Sequence, residues 1–223
     1  MFVRPLFEDD LLVAEADPAS YEPTIHAEEA AQVERAVEKR RREFTAARGL
    51  ARTLLFRLGL GTGPLLNGPD RAPIFPDGAV GSITHTAGYC GVVVGRATDY
   101  LGLGLDVEQA EPLKPELLRM ILAEDERAAY DPADPASLER AKLVFSAKEA
   151  AYKAQYALTR NFLGFSAMRV EVDDAAGRFR AIFREPSGRV FVPGDVLEGS
   201  FRRSSGLVAS AVAIRVGGPY DRR

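Results

Sequence analysis

Apolar residues recur at intervals of three and four along the first quarter of the chain, between residues 27 and 58. This spacing places them on one face of a helix. The pattern therefore predicts helical structure over residues 27–58, as one helix or as two. The stretch from Gly59 to Gly81 is rich in Gly, Pro and Asp and predicts a loop. The apolar positions of the helical stretch are Val33, Val37, Phe44, Ala47, Ala51, Leu54, Leu55 and Leu58.

Short apolar runs after this loop predict strands. The first three, at residues 80–86, 89–96 and 101–108, follow one another closely along the chain. The second half of the chain repeats the plan, with helices predicted at residues 115–130 and 137–157 and a Pro-containing loop between them. The later predicted strands are residues 168–172, 178–183, 196–201 and 207–216.

Helical segments followed by strands occur twice, which predicts an α+β fold with two similar lobes. The predicted strand at residues 207–215 also resembles the one at residues 89–96, since both consist of small and apolar residues. We place the N-terminal lobe at residues 1–104 and the C-terminal lobe at residues 105–223. Residues 104–108 then lie at the junction, where a ligand cleft between the lobes is expected.

The composition is that of an ordinary globular protein, since 46% of the 223 residues are hydrophobic. The formal net charge of −3 argues against a general nucleic-acid-binding role. The single cysteine, Cys90, excludes an internal disulfide and fits a reducing compartment. The N-terminus turns acidic before an apolar signal core forms, and no apolar run has the length of a membrane span. We therefore expect a cytoplasmic protein without a membrane or nucleic-acid partner.

Residues 104–108 and 145–153 together contain three carboxylates and two lysines, on elements whose geometry the sequence predicts. Asp106 and Glu108 alternate with apolar residues on a predicted strand, so they point to the same face. Glu149 and Lys153 are four residues apart on a predicted helix and share a side. Three converging acids would repel one another unless a cation lay between them, and oxygen ligands favour Mg²⁺. Taken singly, the first pair equally fits an exposed edge strand and the second a surface ion pair.

Two polar residues lie near the end of the strand predicted at residues 80–86. His85 follows Thr84, and their imidazole and hydroxyl could face a phosphate, although a single histidine is more often structural. A nucleophilic pair of His85 and Cys90 is disfavoured, because Cys90 opens an apolar strand and no acid is evident to orient the histidine.

A basic run at residues 39–42 lies on the first predicted helical stretch. Such runs are usually solvated. Helical phase nevertheless places Arg41, Arg48 and Arg52 on one side, with Arg40 adjacent, as a cluster able to hold a phosphate. The glycines from residue 59 to 63 do not make a dinucleotide-binding loop, because they follow a helix and lack the required spacing.

Four segments carry a resemblance to a known family. An arginine-bearing helix is followed by Arg-Ala-Pro-Ile-Phe-Pro-Asp-Gly at residues 71–78, which leads to Gly-Ser-Ile-Thr-His at residues 81–85. Gly-Leu-Asp-Val-Glu at residues 104–108 and Phe-Ser-Ala-Lys-Glu-Ala-Ala-Tyr-Lys at residues 145–153 complete the set. In this order they resemble the Sfp-type 4'-phosphopantetheinyl transferases, in particular the enterobactin-synthetase component D branch. The resemblance covers roughly residues 30–170.

The resemblance implies two α/β lobes related by pseudo-twofold symmetry, with coenzyme A bound between them. It implies Mg²⁺-dependent transfer of 4'-phosphopantetheine from coenzyme A to a serine hydroxyl of an acyl or peptidyl carrier protein, releasing adenosine 3',5'-bisphosphate. Asp106, Glu108 and Glu149 would hold the metal, and Glu149 and Lys153 would be catalytic. Arg71 would replace a lysine that some relatives carry before the Pro-rich turn. The residues facing coenzyme A would be Arg40, Arg48, Arg71, Thr84, His85, Lys148 and Lys153.

Two other functions would use the same side chains. One is a different Mg²⁺-dependent nucleotide or phosphoryl-transfer enzyme, and the other is a non-catalytic module that binds coenzyme A or a partner protein. Because a two-lobed chain builds its own cleft, a monomer is expected. The sequence leaves open whether siderophore, polyketide, nonribosomal peptide or fatty-acid carriers are served.

Overall fold

A computed structural model describes residues 1–221. The helical stretch predicted at residues 27–58 is two helices, α1 (Ala27–Val33) and α2 (Glu38–Arg57). The chain breaks between them because Val37 adopts an extended conformation with ψ 154° and serves as the N-cap of α2. A short 3₁₀ helix, Arg4–Leu6, precedes both.

The first sheet has three antiparallel strands, β1 (Leu12–Ala16), β2 (Ala79–Thr86) and β3 (Tyr89–Arg96), in the order β1-β3-β2. Strands β2 and β3 confirm the prediction and form a hairpin whose turn contains Gly88 at φ 69°. Strand β1 was not predicted. Helix α2 packs its small and apolar side against the buried side chains of β3.

The second sheet has five antiparallel strands, β4 (Tyr100–Gln109), β5 (Met168–Asp173), β6 (Arg178–Phe183), β7 (Val196–Ser204) and β8 (Leu207–Arg215), in the order β4-β8-β7-β6-β5. The long helix α5 (Pro135–Thr159) covers one face of it and begins at Asp134, whose carboxylate accepts from two backbone N–H groups.

The prediction of a single helix at residues 115–130 is wrong. A 3₁₀ turn at Pro115–Leu117 leads into two four-residue helices, α3 (Leu118–Ile121) and α4 (Glu124–Arg127). The break lies at Leu122, which is extended at ψ 130°, and continues into the extended N-cap of α4. A 3₁₀ helix, Phe165–Ala167, leads into β5.

The two sheets meet along β2 and β4. The hydroxyl oxygens of Ser82 and Thr84 accept hydrogen bonds from the backbone N–H groups of Leu105 and Val107, each at 3.0 Å. The apolar face of β4 packs in a core shared with residues of the first sheet. The chain is therefore of the predicted α+β class, with one long helix packed on each sheet. The lobe boundary predicted after residue 104 falls inside β4, and the division into lobes stays a prediction.

Helices long and apolar enough to cross a membrane are absent from residues 1–221.

Candidate active site

Helix α5 approaches strand β4 closely because two glycines leave room for its backbone. A Cβ atom added at Gly104 would lie 1.8 Å from the Ala150 carbonyl oxygen, and one added at Gly102 would lie 2.3 Å from the Ala154 carbonyl oxygen. Such distances exclude any side chain without displacement of the helix. The glycines thus bring Glu149 and Lys153 of α5 close to the next residues of β4.

The acids of β4 lie on the face of the strand that carries these glycines, as the alternation predicted. Asp106 is 4% exposed, and its Oδ1 accepts from Lys153 Nζ at 2.8 Å. Lys153 also donates to the Leu105 carbonyl at 2.9 Å. Glu108 is half-buried, and its Oε2 lies 3.6 Å from Lys142 Nζ. Two acids of β4 are therefore each paired with a lysine of α5, Asp106 with Lys153 and Glu108 with Lys142.

The carboxylates influence one another electrostatically. Burial raises the pKa of Glu149, with Asp106 and Glu108 adding repulsion that Lys153 partly offsets. Burial likewise raises the pKa of Glu108, with a further contribution from Asp106 and opposition from Lys142. The three acids thus share an environment in which additional positive charge would be favourable.

Across residues 1–221, no three His, Cys, Asp or Glu side chains lie together in an arrangement that could hold a metal ion, so Asp106, Glu108 and Glu149 are not assembled as a ligand set. The positive charge at Asp106 is the ammonium group of Lys153, which forms an ion pair with this carboxylate. The donor set itself fits a hard divalent cation, since all three candidate ligands are carboxylates.

A cavity of about 220 Å³ lies between α2, β2 and the start of this acidic site. Helix α2 supplies its basic wall, and Lys153 and Asp106 close the opposite side. Glu149 lines a separate, smaller cavity of about 110 Å³ beside Tyr152 and Phe165. The predicted site residues that line the larger cavity are Arg40, Arg48, Arg71, Thr84, His85, Asp106 and Lys153.

Arg48 is fixed in the wall of the larger cavity. Its Nε donates to the Leu65 carbonyl at 2.9 Å, Nη2 donates to Asn67, and its guanidinium lies 3.9 Å from the centroid of the Phe44 ring. Burial lowers the pKa of Arg48 to about 10, so the side chain stays cationic at neutral pH. The arginine is therefore a rigid positive group whose position is set by the loop that follows α2.

His85 lies between an acid and a base on the same wall. Its Nδ1 is 3.4 Å from Glu43 Oε2, and its Nε2 accepts from Arg40. Burial lowers the pKa of His85, helped by Arg40 and Lys153 and opposed by Glu43. The imidazole is consequently held neutral, with its orientation set by Glu43.

Two further residues at the cavity differ in how tightly they are held. The Thr84 hydroxyl oxygen is engaged by Val107, which leaves its proton available to a ligand. Arg71 is exposed, has φ 65°, and has no ion-pair partner within residues 1–221. Its guanidinium is therefore the most adaptable cation of the wall.

Lys148, predicted to face coenzyme A, lines the smaller cavity together with Glu149 and does not line the larger one. It is 1% exposed, and its Nζ donates to Glu126 Oε2 at 2.6 Å and to the carbonyls of Ile121 and Phe165. Burial lowers the pKa of Lys148, although Glu126 opposes this. Because all three ammonium protons are used in these bonds, the lysine ties α5 to α4 and to the Phe165 turn.

Sequence reasoning missed several residues of the site. Glu43 is hidden within a basic run, yet it orients His85 and lies 4.0 Å from Arg40. Its position three residues after Arg40 and four after Lys39 was the available signal. No sequence signal marked Asn67 as the partner of Arg48 or Lys142 as the partner of Glu108, because both contacts join distant parts of the chain.

Comparison with known proteins identifies the family. Residues 28–95 match the 4'-phosphopantetheinyl transferase N-terminal domain, and residues 102–195 match the 4'-phosphopantetheinyl transferase superfamily. The chain therefore belongs to the 4'-phosphopantetheinyl transferase family, which confirms the resemblance inferred from the motifs.

Named relatives extend the match over most of the chain. It is 42% identical over 208 residues to 4'-phosphopantetheinyl transferase Svp of Streptomyces mobaraensis, covering 89% of this chain and 80% of that protein. The chain is 38% identical over 213 residues to 4'-phosphopantetheinyl transferase PptT of Mycobacterium tuberculosis, and the match covers 92% of this chain and 93% of that protein. Enterobactin synthase component D of Salmonella typhimurium is 35% identical over 118 residues, covering 52% and 48%.

Proposed function

We propose that this protein transfers the 4'-phosphopantetheine group of coenzyme A to a serine hydroxyl of an apo acyl or peptidyl carrier protein. Family membership supports the reaction class. The observation that carries the proposal is the adjacency of a basic cavity and an acidic site, joined by the Lys153–Asp106 ion pair. Such a pairing suits a substrate that brings its own phosphates to a proton acceptor.

The reaction forms one bond and breaks another at the same phosphorus. The carrier serine oxygen bonds to the β-phosphorus of coenzyme A, while the bond from that phosphorus to the oxygen bridging the α-phosphate breaks. The bond's electron pair leaves on this oxygen as adenosine 3',5'-bisphosphate. Glu149, directly or through a water, accepts the serine proton, for which its raised pKa is suited. Lys153 stabilises the charge on the leaving bisphosphate.

Mg²⁺, if bound by Asp106, Glu108 and Glu149, would supply charge neutralisation for the pyrophosphate. The basic wall contributes in its own right. Arg48 is a fixed cation and Arg71 an adaptable one, and both line the cavity, so they suit phosphate groups of coenzyme A bound there. Arg40, whose guanidinium is bonded to His85, is a further donor on α2, and the Thr84 hydroxyl lines the same cavity.

Intact mass spectrometry tests the proposal. Incubation with coenzyme A, Mg²⁺ and apo carrier domains should add one phosphopantetheine to the carrier. Glu149→Gln should lower the rate by roughly 10²- to 10⁴-fold, because the proton acceptor is lost. Glu139→Gln, the same change at an exposed position of the same helix, should react normally.

The result also separates the other candidate functions. Tight binding of coenzyme A without transfer to any carrier would favour a binding module, and turnover of another phosphate substrate instead would favour a different phosphoryl-transfer enzyme. Normal turnover by the Glu149→Gln variant would remove Glu149 from its assigned role. A monomeric state and a cytoplasmic location stay predictions from sequence.

A further inference from the structure

Three buried polar atoms beside the acidic site have no hydrogen-bond partner within residues 1–221. They are Oδ2 of Asp106, Oγ of Ser146 and Oγ of Ser210. Both serines are fully buried, and Asp106 is nearly so. Buried hydroxyls and carboxylate oxygens are rarely left without a partner, so three such atoms in one region need an explanation.

The sheet register places Ser210 beside Asp106. Residue 210 of β8 is the direct antiparallel partner of residue 106 of β4, so both side chains project from the same face. That face is the one covered by α5, because Val208 and Val212, which flank Ser210 at intervals of two, pack in the core with the alanines of this helix.

The contact between α5 and β4 places Ser146 over the same point. The Ala154 carbonyl lies against Gly102 and the Ala150 carbonyl against Gly104, so the helix runs antiparallel to the strand. Four helical residues advance about 6 Å, and two strand residues advance about 6.6 Å. The next step of this register therefore puts Ser146 opposite Asp106.

We propose that Ser146 and Ser210 are positioning residues that hold Asp106 Oδ2 through one shared, buried water. Two hydroxyls and a carboxylate oxygen suit a water with about three hydrogen bonds. A cation is less suited to this point, because the hydroxyls are neutral and Lys153 already lies on the other oxygen of Asp106. Held at Oδ2, the carboxylate presents Oδ1 to Lys153 and to the coenzyme A cavity.

This inference rests on the proposed function, because Asp106 is assigned there to metal binding. A partner that orients a ligating carboxylate typically changes metal affinity about 10- to 100-fold when it is removed. We expect Ser210→Ala and Ser146→Ala each to weaken Mn²⁺ binding, measured by electron paramagnetic resonance with coenzyme A present, by about 10-fold. Ser204→Ala, at an exposed serine of β7, is the control and should bind Mn²⁺ like the unmodified protein.

Stability gives a second and independent readout. If the hydroxyls are bonded through the water, each alanine variant should unfold at lower urea concentration than the Ser204→Ala control. If they are truly without partners, the same variants should be equally or more stable, since an unsatisfied buried group is removed. Because both serines share one water, the double variant should lose less free energy of unfolding than the sum of the losses in the two single variants.

A crystal structure should show the water within hydrogen-bond distance of all three atoms. Its absence, additive losses in the double variant, or unchanged Mn²⁺ affinity in both single variants would each overturn the proposal. Asp106→Asn separates the two levels of inference. If it abolishes transfer while the serine variants behave like the control, only the positioning role fails; if it transfers normally, the proposed acidic site fails as well.

Discussion

His85 shows how a single residue is set by its neighbours. Glu43 lies on the Nδ1 side and Arg40 on the Nε2 side, and Lys153 faces it from α5. Burial and the two cations lower its pKa below 6.5, while Glu43 opposes them. The neutral ring can accept a hydrogen bond at Nε2, so it suits the support of a phosphate-binding arginine better than direct anion binding.

This pKa predicts a pH-dependent difference in stability. Below pH 6.5 the unfolded chain binds a proton at His85 that the folded chain resists, so folded stability falls as the pH decreases through this range. His85→Gln takes up no proton and lacks this loss. The free energy of unfolding of the variant, measured by urea denaturation, should therefore rise relative to that of the wild type as the pH is lowered from about 8 to about 5.

Subtracting the two unfolding curves cancels the titration of the groups that do not interact with His85. His26→Gln, the change at the chain's other histidine, controls for the loss of an imidazole elsewhere. A difference between wild type and His85→Gln that stays constant with pH, or that moves in favour of wild type at low pH, would contradict the assignment.

The sequence predicted which acidic and basic side chains are candidates for the site, but not where the fold places each of them. Asp106 and Glu108 were placed correctly on one strand face, because alternation along a strand is a local property. Lys148 and Glu149 are sequence neighbours, yet Lys148 is bonded to Glu126 and Glu149 lies near the acids of β4. Helical phase separates neighbouring side chains by about 100°, and only the packing of α5 decides which of them lies near the acids of β4.

At the scale of elements, the decisive contact is the one between α5 and β4. A methyl group at Gly104 would have to displace the Ala150 carbonyl, which belongs to the helix backbone and has no rotamer to change. Gly104→Ala should therefore destabilise the fold by about 1–3 kcal/mol or more. It should also slow transfer, because α5 carries Glu149 and Lys153.

Urea unfolding and the carrier assay together check this prediction. Gly63→Ala is the matched control, since an added Cβ there meets no atom within 4 Å. Equal stability and activity of the Gly104→Ala and Gly63→Ala variants would show that the close approach does not position the helix.

Elements with strong periodicity were predictable, and those fixed by distant contacts were not. Helix α5 and the hairpin of β2 and β3 follow from their patterns, apart from one or two residues at the ends. Strand β1 has only five residues and forms through its pairing with β3, which is about eighty residues away in sequence. The helix predicted at residues 115–130 failed because extended residues at Leu122 and Ala123 interrupt it, while Glu126 bonds to Lys148 and to β5.

At the scale of the whole molecule, two hydroxyls join the sheets. Ser82 and Thr84 accept from backbone N–H groups of β4, so the basic wall on the first sheet and the acids on the second keep a fixed separation. The sequence had marked Thr84 as a residue facing coenzyme A. Thr84 lines the cavity, and its bond to Val107 is a contact that no local pattern predicts.

Thr84→Val tests this junction, because valine keeps the shape of the side chain and removes the acceptor. The Val107 N–H would then be buried without a partner, so the free energy of unfolding should fall by about 1–3 kcal/mol. The affinity for coenzyme A, measured by calorimetry, should fall as well, since the two sides of the cleft lose a shared anchor. Thr84→Ser keeps the hydroxyl and should preserve both quantities to a large degree. If the valine variant matched the serine variant in stability and in affinity, the bond would contribute neither to the union of the sheets nor to the geometry of the cleft.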